Sequence, residues 1–335
     1  MKTSKKSEFR VMNMELINNS LFCTLHSSLF TFLKLGLITL LALSPSIGNA
    51  TNKKVGTTGA QFLKIGVGAR PTSMSGAFTG VADDINAVYY NPAGLATISR
   101  PEILGMRTQW LADMSYDFGA FAYPTDYGAF ALSVATLKVD DLQRRSTDES
   151  YGGTFGAMDA AYGLSYARNF GPLMSMGLTA RNLRQEIDGV SATTWSGDLG
   201  ILRRFVRLPI SVGLAARNFG QSVEFRRESD PLPFTIDAGV GASFLREKLL
   251  VSLDAKFPRD NTPALATGVE MKVPMGRDIR MAFRGGFSTA GVSDDDRSGF
   301  SLGAGFGVRK LDVDFSFVPM GDLGNTYRYS LRFRF

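Results

Sequence analysis

The chain has 335 residues, with 36 glycines and 25 phenylalanines, and its charged share of 20% falls below the rough quarter usual for soluble globular proteins. Its one cysteine, Cys23, and its one histidine, His26, both lie in the first fifty residues, so the remainder holds no thiol nucleophile, no Ser-His-Asp triad and no His/Cys zinc site, and carboxylate chemistry and oxygen-ligand metals are what composition leaves open. Of the 37 basic and 31 acidic residues, five and two respectively fall in residues 1–50, which leaves 32 against 29, a net charge of +3 that carries no nucleic-acid footprint.

Residues 1–50 read as a secretory leader. Lys34 precedes the apolar run from Leu35 to Leu43, and Gly48-Asn49-Ala50 supplies the small residues a signal peptidase needs, so cleavage is expected after Ala50, with export by the Sec route. The stretch ahead of Lys34 is long, and Met12 or Met14 is an alternative start. No later run reaches the roughly 18 apolar residues of a membrane helix. If residues 51–335 span a membrane, they do so as strands.

Residues 51–100 are rich in Gly and Ala, with helix and turn signals, and read as a small packed insert. Gly66-Val67-Gly68-Ala69-Arg70-Pro71 lacks the third glycine of a dinucleotide fingerprint and has Pro71 in its place, so it is expected to form a bend. Asp83-Asp84 is a tempting carboxylate pair, but it precedes Ile85-Asn86-Ala87-Val88-Tyr89, where an Asp normally caps a helix. In Asn91-Pro92-Ala93-Gly94, Pro92 fixes φ for a turn and Gly94 relieves it; the motif is expected to seat the insert against its surroundings rather than touch a substrate.

From residue 101 to 335 the chain repeats segments of roughly ten residues with period-two alternation. Met174, Met176, Leu178 and Ala180 interleave with Ser175, Gly177, Thr179 and Arg181, and Phe300, Leu302, Ala304, Phe306 and Val308 interleave with Ser301, Gly303, Gly305, Gly307 and Arg309. A soluble β-sandwich alternates too. Segment length favours a tilted bilayer crossing of about 9–11 residues over soluble strands averaging about 5–6.

About fourteen such segments lie near 102–111, 115–123, 127–137, 157–169, 173–184, 193–204, 208–218, 232–244, 248–257, 263–273, 277–288, 298–308, 310–318 and 326–335. Short connections follow the second, fourth, eighth, tenth and twelfth segments. Long polar ones (138–156, 219–231, 289–297) follow the third, seventh and eleventh, which is the outer-membrane pattern of short periplasmic turns and long outer loops. The fold class expected is therefore all-β: a transmembrane antiparallel barrel of about 14 strands over 101–335, with a small N-terminal helical and turn plug over 51–100.

The inward face collects charges of both signs, among them Arg328, Arg332, Arg334, Asp312 and Asp314. The expectation is a lumen cross-linked by ion pairs rather than a selectivity ring. Folding the last two segments about Asp322 places Asp312 near Arg332 and Asp314 near Ser330, with Arg328 diagonal. Asp294-Asp295-Asp296 lacks the spaced ligands of a calcium loop and reads as a solvated outer loop. No catalytic site, metal site or cofactor is expected. The final stretch, Tyr327 to Phe335, puts every aromatic on one face and ends on Phe335.

The block Gly59 to Arg70, with Met74-Ser75-Gly76-Ala77-Phe78, Val81-Ala82-Asp83-Asp84 and Tyr89-Tyr90-Asn91-Pro92-Ala93-Gly94-Leu95-Ala96, resembles the PorV/PorQ family of outer-membrane proteins. The Asn-Pro-Ala-Gly element is shared with the wider FadL-like barrels. The resemblance implies a fourteen-stranded outer-membrane barrel with the N-terminal segment tucked inside as a plug, and Phe335 resembles the C-terminal residue read by the barrel-assembly machinery. It further implies an accessory of type IX protein secretion that binds exported cargo or other secretion components; the alternative is a FadL-like channel for uptake of hydrophobic small molecules.

Overall fold

The computed structural model describes residues 55–111, 114–145, 151–205, 208–225, 228–291 and 299–335. The expected leader and cleavage site lie outside the described residues, as does the Asp294-Asp295-Asp296 run. No helix among the described residues is long and apolar enough to cross a membrane.

Fourteen strands close into one antiparallel barrel. They are β1 (Glu102–Gln109), β2 (Ser115–Thr125), β3 (Gly128–Arg145), β4 (Tyr151–Phe170), β5 (Met174–Ile187), β6 (Val190–Arg204), β7 (Ile210–Gly220), β10 (Thr235–Phe244), β11 (Leu249–Pro258), β12 (Ala264–Pro274), β13 (Ile279–Ser288), β14 (Phe300–Val308), β15 (Leu311–Pro319) and β16 (Asn325–Arg334). Two short strands, β8 (Val223–Phe225) and β9 (Glu228–Asp230), pair as a separate hairpin in the connection between β7 and β10. β1 pairs with β16, Glu102 opposite Arg334, which closes the ring and leaves no free edge. A ring of this kind satisfies all its backbone polar groups between strands, the condition for crossing lipid without a helix.

The alternation has the physical meaning expected of it. Val240, Leu178 and Leu302 lie on the exposed outer face, while Asp237, Thr179 and Ser301, on the same strands, are buried inside. Val240 sits mid-strand and is 42% exposed. Val240→Arg is expected to cost about 2–4 kcal/mol of folding stability in lipid vesicles, the cost of a cation at the bilayer midplane. The inward Asp237 beside it tolerates its charge because Arg217 pairs with it at 2.6 Å.

Two features depart from the expected segments. The stretch 138–156, read as a loop, is largely strand: β3 and β4 run to 18 and 20 residues and stay paired past Val139 through register shifts. They outrun a tilted crossing of about 9–11 residues, so this hairpin projects beyond the membrane on the long-loop side. At its neighbour, β5 turns into β6 through Asp188-Gly189, both with positive φ (50° and 75°), as a two-residue hairpin of the Asp-Gly type requires. The second departure is chemical: Leu104, Met106, Tyr116, Phe118 and Ala120 point inward from β1 and β2 and are buried. This sector of the lumen is apolar, and it packs on Phe62, Met74, Phe78, Ile85 and Leu95 of the N-terminal segment.

That segment carries four short helical turns, at Gln61–Lys64, Ala69–Thr72, Ala87–Tyr90 and Pro92–Thr97. It begins near the long loops, where Gly59 N–H donates to the Pro231 carbonyl. It ends at Pro101 on the short-turn side, whose carbonyl accepts from Phe335 N–H at 3.0 Å. In between, Ala69 N–H donates to Ser330 (2.7 Å), Ser75 N–H to Ser301 (2.9 Å), and Phe78 and Thr79 N–H to Asp254 (2.9 and 2.8 Å). All three acceptors are inward groups of the wall.

Candidate functional site

Most of the N-terminal segment has no water to bond to, so its backbone must bond to the wall or to itself. Asn91 does both: its Nδ2 donates to the Thr79 carbonyl at 2.9 Å and to the Ile201 carbonyl of β6 at 3.1 Å, and its Oδ1 accepts from Ala93 N–H at 3.2 Å. Pro92 follows at the first helical position, where a missing N–H costs nothing. Close approach depends on glycine. A methyl at Gly94 would overlap the Ala82 carbonyl, and methyls on the wall at Gly177, Gly200 and Gly213 would overlap Pro92, Asn91 and Thr79. The expected motif Asn91, Pro92, Ala93, Gly94 therefore lies wholly buried in contact with β5, β6 and β7.

Toward the short turns, Arg70 holds the segment electrostatically. Its guanidinium reaches Asp83 (2.6 Å), Asp84 (2.7 Å) and Glu270 of β12 (2.7 Å), and its face covers the Phe78 ring. Arg332 bonds Asp84 at 2.6 Å and Asp312 at 3.1 Å, Arg334 bonds Asp312 at 2.6 Å, and Arg284 bridges Glu270 and Asp314 (3.3 and 2.7 Å). These charges line a cavity of about 380 Å³. Asp312 stands opposite Arg332 and Asp314 opposite Ser330 in the β15–β16 ladder, the register that folding about Asp322 anticipates.

Three placements correct the reading of the sequence. Asp83 and Asp84 do not cap the helix at Ala87–Tyr90, whose N-cap is Asn86 with no side-chain bond; Asp84 instead folds a local turn by accepting from Asn86 N–H at 2.9 Å and pairs with Arg70 and Arg332. Arg70, read only as part of a bend, is the centre of the charge network, and nothing in its sequence neighbourhood signals this because its partners stand 13, 14 and 200 residues away. Arg328 does not join the network: it lies four residues before Arg332 on β16, toward the long loops, donates to Thr326 Oγ1 at 3.1 Å and faces the Trp110 ring at 5.2 Å. Phe335 is half exposed at the short-turn rim and packs edge-on against Phe333 at 5.0 Å.

On the long-loop side, a second cavity of about 370 Å³ lies between the N-terminal segment and the outer connections. Tyr89, Tyr90 and Trp110 supply aromatic surface, and Lys64, Arg217, Lys256 and Arg328 supply charge. Both tyrosine hydroxyls are occupied within the segment, Tyr89 on the Leu63 carbonyl (2.8 Å) and Tyr90 on the Val67 carbonyl (3.0 Å), so their rings rather than their hydroxyls are what a guest meets. Beside the cavity, Asp260 of the β11–β12 connection ties down the start of the N-terminal segment, accepting from Thr58 (2.6 Å), Lys64 (2.8 Å) and Gln61 (3.1 Å). Burial acts to raise the Asp260 carboxyl, and the hydrogen bonds from Lys64, Thr58 and Gln61 outweigh it and hold it below the usual carboxylate range. Among the described residues no group of His, Cys, Asp or Glu is arranged to hold a metal ion.

Residues 39–200 match the Uncharacterised protein family (UPF0164). No curated protein matches the chain. Among solved structures, the chain is similar to the Ralstonia pickettii toluene transporter TbuX, at 13% identity and a TM-score of 0.56 over 81% of this chain and 98% of that one. It is similar to the CymD monoaromatic hydrocarbon channel, at 13% identity and a TM-score of 0.57 over 81% and 98%, and to a Pseudomonas aeruginosa FadL homologue, at 11% identity and a TM-score of 0.55 over 80% and 98%. The chain thus shares the barrel fold of these three proteins.

Proposed function

We propose that the chain is an outer-membrane channel admitting small apolar molecules, with residues 51–100 as its plug. The observation that carries this reading is the outer cavity set directly against the plug, walled by Tyr89, Tyr90 and Trp110. Its volume of about 370 Å³ lies within the roughly 300–1,000 Å³ of small-molecule sites. The solved barrels of like fold named as a toluene transporter and a monoaromatic hydrocarbon channel support it. The test is uptake of labelled toluene by intact cells whose outer leaflet is lipopolysaccharide. Cells producing the chain are expected to take it up faster than the parent strain, and Trp110→Ala to lose most of the gain; equal rates with and without the chain would count against the proposal.

A second reading, an accessory of type IX secretion of the PorV/PorQ type, draws on the resemblance of residues 59–96 and on the projecting β3–β4 hairpin, which offers a surface to exported cargo or secretion components. Pull-down from outer membranes separates the two: co-purifying secretion components favour the accessory role, and a barrel recovered alone together with toluene uptake favours the channel.

A further inference from the structure

Among the inward arginines, Arg70, Arg181, Arg217, Arg284 and Arg332 each face a carboxylate. Arg328 does not. It is only 4% exposed, its one hydrogen-bond partner among the described residues is the Thr326 hydroxyl, its Nε has no partner, and the titratable groups nearest it are the neutral phenols of Tyr89, Tyr90 and Tyr116. A guanidinium removed from water without a counter-charge is costly unless something supplies one. Arg328 lines the outer cavity, whose lining contains no Asp or Glu among the described residues, while Lys64, Arg217 and Lys256 line the same space.

We infer that the outer cavity binds a small aromatic carboxylate, its carboxylate on Arg328 and its ring among Trp110, Tyr89 and Tyr90. Guanidinium and carboxylate match as a planar fork, and the Nε left free is one of the donors such a pairing uses. Trp110, stacked on the guanidinium at 5.2 Å from its ring centroid, orients the fork. Tyr89 and Tyr90 stand edge to face, 4.8 Å between centroids, and offer a right-angled aromatic corner in which a guest ring lies flat on one and edge-on to the other. The inference rests on the channel reading and extends its substrate class from neutral apolar molecules to monoanionic aromatic ones.

The test uses the mature chain in detergent in a Trp195→Phe background, which leaves Trp110 as the only tryptophan, and reads Trp110 fluorescence during titration with 4-methylbenzoate, toluene and decanoate. The carboxylate is expected to bind about tenfold or more tighter than toluene, as a charge-assisted pair implies. R328Q is expected to abolish that preference, and R328K to retain part of it. Equal binding of 4-methylbenzoate and toluene overturns the inference, and so does an unchanged preference in R328Q; tighter binding of decanoate overturns its aromatic part. If R328Q fails to fold, judged by heat-modifiable gel mobility, the wild-type comparison alone decides. Toluene uptake by cells without carboxylate preference leaves the channel standing and removes the inference, whereas carboxylate binding without any uptake removes the channel and leaves the site.

Discussion

Arg70→Met is expected to loosen the plug and to be the most damaging single substitution in the molecule. Arg70 is buried and neutralises Asp84 and Glu270, both nearly inaccessible, as well as Asp83. Methionine fills much of its volume, and Arg332 and Arg284 remain on Asp84 and Glu270, but one positive charge is lost beside two carboxylates that are almost fully buried. Removing one partner of a buried ion pair typically costs about 3–5 kcal/mol, because the remaining charge is stranded. Urea unfolding in lipid vesicles, followed by heat-modifiable mobility, should show that loss, and R70M should leak ions through planar bilayers where the parent does not. A change within about 0.5 kcal/mol, the size of an ordinary surface substitution, would mean that the network does not hold the plug.

The second large effect is expected at Gly213. Its Cα meets the plug backbone so closely that a side chain would overlap the Thr79 carbonyl and crowd Asn91 Nδ2. The obstructing atoms are backbone and a triply bonded amide, so no rotamer change relieves them. Gly213→Val should lose about 1–3 kcal/mol or more through overpacking and separate Asn91 from Thr79. Gly105→Val is the matched control, since Gly105 faces outward and a methyl there meets nothing within 4 Å; it should fold and insert like the parent. Equal stability of the two variants would show that the plug is not seated as closely as the glycines imply.

How much of this was legible from residues alone divides along a physical line. Strand positions, their pairing order and the lipid-facing set follow from local alternation, and Asp312 and Asp314 were placed against their partners because a hairpin register is a short-range property. The apolar inward sector on β1 and β2 was not legible, because Leu104 and Phe118 sit among Ile103, Gly105, Gly119 and Phe121, where both faces look apolar or small, and only Arg107 and Asp117 mark the outward side. The 138–156 stretch read as loop because its charged residues hide a ladder that continues outside the membrane, where polar residues are welcome on both faces. The two cavities were not legible at all: Tyr89, Trp110, Arg217 and Arg328 meet across separations that only barrel closure determines. Arg328 looked like Arg332 and Arg334, two and three strand periods further along β16, and differs from them because the ring of carboxylates ends before it.

The filled lumen is what both cavities, the charge network and the channel reading depend on. The most direct measurement is the ionic conductance of the purified mature chain in a planar bilayer. A barrel of fourteen strands whose interior is occupied by residues 59–98 should insert without opening a steady ohmic pore, and R70M should raise the conductance. A wild-type chain that inserts as a stable, wide, voltage-independent pore would contradict a plug seated in the lumen.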